Sequence, residues 1–131
     1  MVLMSKLSKL TMTALCAAIV LPAAAFAHPK LLASMPAADA TVAAPTRLVL
    51  RFSERLMPKL SDAAIVMTGM PGMANHAPMP VGGTVSTIGA DGNSLVVTPK
   101  TALPAGSYRV DWHVVSTDTH RIAGTYAFSV R

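Results

Sequence analysis

The stretch GSYRVDWHVV, residues 106–115, decides the fold. Tyr108, Val110, Trp112 and Val114 alternate with Arg109, Asp111, His113 and Val115. Successive side chains of a strand point to opposite faces, so this pattern predicts a long strand with one face in a core. His113 falls on the opposite face from Trp112, which makes it an exposed or core-edge histidine rather than a metal ligand. Working outward, RLVLRF (47–52) puts Leu48, Leu50 and Phe52 on one face, and GTYAFSVR (124–131) does the same with Tyr126, Phe128 and Val130. Weaker alternation marks 30–35, 62–67, 83–88 and 94–98, the last two joined by GADGN, a hairpin signal. Seven short strands separated by Pro, Gly, Asp and Asn predict an all-β, seven-stranded Greek-key barrel or sandwich of immunoglobulin-like type.

The front of the chain reads differently. Lys6 and Lys9 precede an apolar run over 10–21, and Pro22 leads to AAAFA with small residues at Ala25 and Ala27. These are the three parts of a secretory signal, with cleavage expected between Ala27 and His28. The apolar run is shorter than the ~20 residues that span a bilayer. Removing 1–27 leaves a 104-residue domain, 28–131, and discards the only cysteine, Cys16. No disulfide framework is then available. Nine Lys and Arg against six Asp and Glu give the processed chain a net charge of +3, spread along the sequence, which offers nucleic acid no basic patch. The expected compartment is the bacterial periplasm.

Three groups of residues carry chemistry. In MTGMPGMANHAPMP, Met67, Met70, Met73, His76 and Met79 recur every third residue among Pro and Gly that exclude a helix. A polyproline-like segment, with three residues per turn, would align all five. Thioethers are soft ligands suited to Cu(I), although methionines also fill irregular core gaps. In VSTDTHRIAG, Asp118 and His120 lie on one side of an extended chain, roughly 6.6 Å apart. Asp118 can instead serve its own turn. His28, once freed, offers an α-amine and a ring nitrogen together, and Pro29 has no N–H to add a further donor. Amine, imidazoles and carboxylate suit tetragonal Cu(II). Counting strands puts His28 and the Asp118/His120 loop at one end of an antiparallel sandwich. The methionine segment falls at the other, about 20 Å away.

HPKLL, FSERL, MTGMPGM, YRVDWHVVSTDTH and the closing GTYAFSVR together resemble the CopC/PcoC family of periplasmic copper-resistance proteins over essentially the whole processed chain. The resemblance implies a Greek-key β-barrel that binds copper without turning over a substrate. It implies a Cu(II) site from His28, Asp118 and His120 and a Cu(I) site drawn from Met67, Met70, Met73, His76 and Met79. It also implies a CopD-type inner-membrane partner, and the expected state is a monomer. His76 departs from the family pattern by one extra residue after Met73. Two other readings stay open. An amino-terminal histidine with a second histidine is similar to the copper centre of polysaccharide monooxygenases, and a plain sandwich interaction module would need no metal at all. Serine hydrolysis has no G-x-S-x-G to support it.

Overall fold

The computed structural model describes residues 28–131, so the leader expected over 1–27 lies outside the described residues, as does Cys16. Among the described residues there are nine strands: β1 (Leu31–Met35), β2 (Thr41–Val42), β3 (Leu48–Phe52), β4 (Asp62–Gly69), β5 (Met79–Pro80), β6 (Val85–Ile88), β7 (Ser94–Thr98), β8 (Gly106–Val115) and β9 (Arg121–Val130). They form two sheets, ordered β1-β3-β7-β6 and β2-β9-β8-β4-β5. The architecture is an open two-sheet sandwich, which corrects the barrel alternative.

The count of nine also corrects the expected seven, for a geometric reason. The chain crosses the sandwich seven times, and two crossings are split between sheets. The first begins as β1, paired with β3, and ends as β2, paired parallel to β9, with Pro36 between them where a ladder donor is missing. The fourth begins as β5 against β4 and ends as β6 against β7, broken at Gly82 and Gly83, the latter at φ 74°. Other boundaries shift as well. β4 runs to Gly69, two residues beyond 67, and β9 begins at Arg121, three before 124.

β8 and β9 pair over ten residues, from Gly106 opposite Val130 to Val115 opposite Arg121. The inward row is the one read from the alternation. Tyr108, Val110, Trp112 and Val114 are buried, as are Leu48, Leu50, Phe52, Tyr126, Phe128 and Val130. Trp112 meets Phe52 edge-on at 5.0 Å between centroids, and Tyr108 stacks on Phe128 at 5.5 Å. The Tyr108 hydroxyl donates to the Pro104 carbonyl at 2.6 Å, tying the strand to the loop before it in the manner of a tyrosine corner. Opposite Trp112 stands Gly124, where an added Cβ would lie 2.4 Å from the indole Cζ2. His113 is half-buried on the outer face, opposite Asp62.

The GADGN hairpin is fixed by one carboxylate. Asp91 accepts from the Asn93 and Ser94 amides, each at 3.0 Å, and from the Ser94 hydroxyl at 2.7 Å. The Ser94 hydroxyl, followed by the Asn93 amide, holds its pKa below the ordinary carboxylate value.

Two outcomes follow from this packing. Gly124→Ala forces the indole to move and should cost about 1–3 kcal/mol, read as a lower urea midpoint. The Asp91 pKa is lower in the folded than in the unfolded chain, so its contribution is full above the ordinary carboxylate range and vanishes as pH falls through the depressed value. The difference in urea midpoint between the parent and Asp91→Asn should therefore be present at pH 7 and shrink towards zero on acidification.

Candidate metal centre

At the end of the sandwich where β8 leaves and β9 begins, residues 116–120 form a tight loop. The Ser116 amide donates to the His120 carbonyl at 3.0 Å, the Thr119 amide donates to the Ser116 carbonyl at 2.8 Å, and Thr119 sits at φ 74°. Asp118 and His120 therefore converge through a turn rather than along the extended chain expected from the sequence. Asp118 Oδ2 lies 3.2 Å from His120 Nδ1, and the fully buried Ser116 donates its hydroxyl to Asp118 Oδ1. The Ser116 hydroxyl, more than the neighbouring His120, holds the Asp118 carboxyl below its ordinary pKa, so it stays ionised across the neutral range. A carboxylate facing one imidazole nitrogen fixes that ring's tautomer and orientation, the usual support for a metal-binding histidine.

His28 arrives at the same place because the two residues after it are pinned. The Pro29 side chain is fully buried. Lys30 and Ser53 exchange two hydrogen bonds of 2.9 Å, amide to hydroxyl and amide to carbonyl. The exposed His28 ring then meets His120 edge-on, with centroids 4.8 Å apart. His120 is thus the shared neighbour of His28 and Asp118. The donors do not close on a single point: among the described residues no group of three or more His, Cys, Asp or Glu side chains is drawn tightly enough to hold an ion. In the 131-residue chain the His28 nitrogen is a peptide amide and not a donor.

The methionine segment lies at the other end, beside Gly106, Ser107 and Ser129. It is not a polyproline-like ribbon. Met70 and Met73 exchange two backbone hydrogen bonds of 2.9 Å around Pro71 and Gly72, the latter at φ 81°. That is a two-residue hairpin with the Pro-Gly signature of a type II turn, and it places Met70 and Met73 opposite each other. Met79 is paired with Met67 across β4 and β5. Met67 itself is a half-buried core-edge residue in the inward row, whereas Met70, Met73 and Met79 are exposed. The every-third spacing thus has two structural causes, one turn and one strand pair.

His76 is held between them by its amide, which donates to the Thr68 carbonyl at 3.0 Å. Its Nδ1 lies 2.7 Å from the Ala77 carbonyl. A carbonyl oxygen only accepts, so Nδ1 carries a hydrogen, and in the tautomer this selects the lone pair falls on Nε2. That Nε2 is buried and has no hydrogen-bond partner among the described residues. A buried ring nitrogen left open, in the segment that carries Met70, Met73 and Met79, has the chemistry of a ligand for a soft cation. Gly69 makes the fold-back possible, since a Cβ there would fall on the Ala74 carbonyl.

The sequence reading missed Ser116, Ser53 and the anchoring role of Pro29. For Ser116 a signal existed, because a hydroxyl two residues before an aspartate in a turn-rich stretch is a local hydrogen-bonding pattern.

Fold and poles together define a class: a small all-β sandwich with nitrogen and oxygen donors at one end and sulfur at the other. Residues 31–131 match the CopC domain, and the chain belongs to that family. It is 54% identical over 107 residues to Copper resistance protein C of Escherichia coli, covering 82% of this chain and 84% of that protein. Copper resistance protein C of Xanthomonas campestris pv. juglandis is 48% identical, with 92% and 94% covered. Among solved structures, PcoC, a methionine-rich copper resistance protein from Escherichia coli, superposes with a TM-score of 0.73 at 51% identity, over 80% of this chain and all of that one.

Ser116→Ala removes the largest influence holding the Asp118 carboxyl low. Its titration, followed by carboxyl carbon NMR, should move up towards the ordinary aspartate value, while Asp91 keeps its own low midpoint.

Proposed function

We propose that the chain is a periplasmic copper carrier that takes Cu(II) at the His28, Asp118 and His120 pole and Cu(I) at the methionine pole, and passes the ion on without turning over a substrate. The observation that carries the reading is the meeting of His28 and Asp118 on His120, in a chain 54% identical to Copper resistance protein C of Escherichia coli. Cleavage before His28 would convert its amide into an amine. A chelating amine and imidazole, a second imidazole and an ionised carboxylate suit tetragonal Cu(II). Met70, Met73, Met79 and the His76 Nε2 offer a softer set for Cu(I), and Met67, anchored in the core edge, supplies the rigid side of that pole. Handover of an ion is the role that such surface donors serve, and a CopD-type inner-membrane protein is the proposed recipient or source. A single copy carries both donor sets.

The test uses the exported, processed protein. Its amino-terminal residue should be His28, and one equivalent of Cu(II) should give a nitrogen-rich tetragonal EPR spectrum. An alanine inserted ahead of His28, or His120→Ala, should weaken Cu(II) binding by more than about 10-fold, the lower end of what even supporting residues cost a metal site. The pair Met70→Leu and Met73→Leu should weaken Cu(I) in a competition with a coloured chelator and leave Cu(II) unchanged. An intact Cu(II) spectrum after the alanine insertion, or equal loss of both ions in the methionine variant, would remove the reading. Because protons compete for the nitrogen donors while Asp118 stays ionised, Cu(II) affinity should fall on acidification well before that carboxylate titrates.

A further inference from the structure

Beside the Cu(II) pole lies a groove of about 510 Å³ that the carrier reading does not use. It runs between the chain leaving β3 and the turn joining β6 to β7. Its apolar lining includes Met57, Pro58 and Ile88, its cations are Arg55 and Lys59, and Thr117, the residue before Asp118, is part of its wall. No acidic residue lines it. The nearest carboxylate in that turn, Asp91, is engaged by Asn93 and Ser94. Among the described residues neither Arg55 nor Lys59 has an ion-pair partner. Arg55 is nevertheless placed: its guanidinium lies over Gly92, where a Cβ would stand 2.8 Å from Nη1, and its carbonyl accepts from the Thr117 amide at 2.9 Å. Leu60, the residue after Lys59, is 50% exposed.

Two unpaired cations over an apolar floor select an occupant with the opposite sign and an apolar body. The other large cavity, about 550 Å³ on the outer face of β4, β8 and β9, is lined by Asp62 and Asp111 together with Arg121 and His113, so its charge selects nothing. We propose that the 55–59/88–92 groove docks an acidic segment of a partner protein, with an aliphatic or aromatic residue between carboxylates. Seated there, the segment lies against Thr117 and holds its protein next to the Asp118/His120 loop. The purpose of that placement, transfer of the ion, rests on the carrier reading; the docking itself does not.

The test is therefore made on metal-free protein. Titration with the peptide Asp-Glu-Leu-Phe-Glu-Asp should shift the amides of 55–59, 88–92 and Thr117 saturably in nitrogen–proton NMR spectra, and added salt should weaken it. Lys59→Glu and Arg55→Gln should each weaken binding by about threefold or more, as expected for charges at an interface rim. Lys100→Glu, an exposed charge far from this groove, should leave it unchanged. Should Arg55→Gln unfold the chain, Lys59→Glu on an exposed turn still decides. The proposal is overturned by absent or non-saturating shifts, by equal binding of Lys-Lys-Leu-Phe-Lys-Lys, or by an equal effect of Lys100→Glu. Phenylbutyrate binding as tightly as the peptide would overturn the protein occupant. None of these outcomes depends on copper, so a failure here leaves the carrier reading standing, and the reverse holds.

Discussion

The β8–β9 ladder is the member on which both poles hang. Its ten paired residues hold the inward row of Tyr108, Val110, Trp112 and Val114 against Tyr126 and Phe128, and the same backbone delivers Gly106 to one end and Ser116 to the other. Its tightest point is Trp112 over Gly124. An indole can lie flat on a neighbouring strand only where that strand lacks a side chain, so the register of this pair fixes the register of the ladder. A slip of one residue would turn Trp112 outward and carry the Asp118/His120 loop with it.

Each pole then uses a separate local device to place its donors. At the histidine end the devices are anchors: a buried proline ring behind His28, and a buried serine beneath Asp118. At the methionine end the device is a turn, Pro71-Gly72, which brings Met70 and Met73 together, with Gly69 leaving room for the returning chain. Neither device reaches across the core. Asp118, His120, Met70, Met73 and His76 stand on loops based on rigid strands, while Met67 and Met79 lie on β4 and β5 themselves, an arrangement that keeps the loop donors accessible above a fixed base.

The long alternating runs were legible from the sequence because a period of two in large apolar residues matches the pleat of a strand with one face buried, and no helix reproduces it. The core row from Leu48 to Phe52 and the rows of β8 and β9 are where the alternation puts them. What escaped was of another kind. β2 and β5 are two-residue segments, too short to show any period, and they exist because a neighbouring strand offers hydrogen bonds. The spacing of the methionines was visible, but its cause was not, since three-residue spacing suits both a polyproline ribbon and a two-residue turn. Only the Pro-Gly pair separates the two, and its reciprocal hydrogen bonds are a property of the folded chain. The Asp118/His120 proximity was legible as a spacing, while the turn at Thr119 that produces it was not.

The length of β8 bears on how two donor sets can share one small protein. Ten residues place its ends about 30 Å apart, more than the roughly 20 Å expected from an average strand. A well-packed core between them, with aromatic rings in contact and strands in fixed register, leaves no route by which an ion bound at one end could reach the other without leaving the protein. For a carrier with a site at each end, each pole must therefore meet its own donor or acceptor from solution. Under the carrier reading this makes the surface around each pole as consequential as the ligands within it. That surface is not neutral at the histidine end: Arg55 and Lys59, without an ion-pair partner among the described residues, border an apolar groove whose wall is one residue from Asp118. Charge steering at such a surface acts on how often a partner arrives, whereas the ligand set acts on how tightly the ion is held. The two can be altered independently because they sit on different segments, 55–59 and 116–120, joined by the backbone hydrogen bond from Thr117 to Arg55.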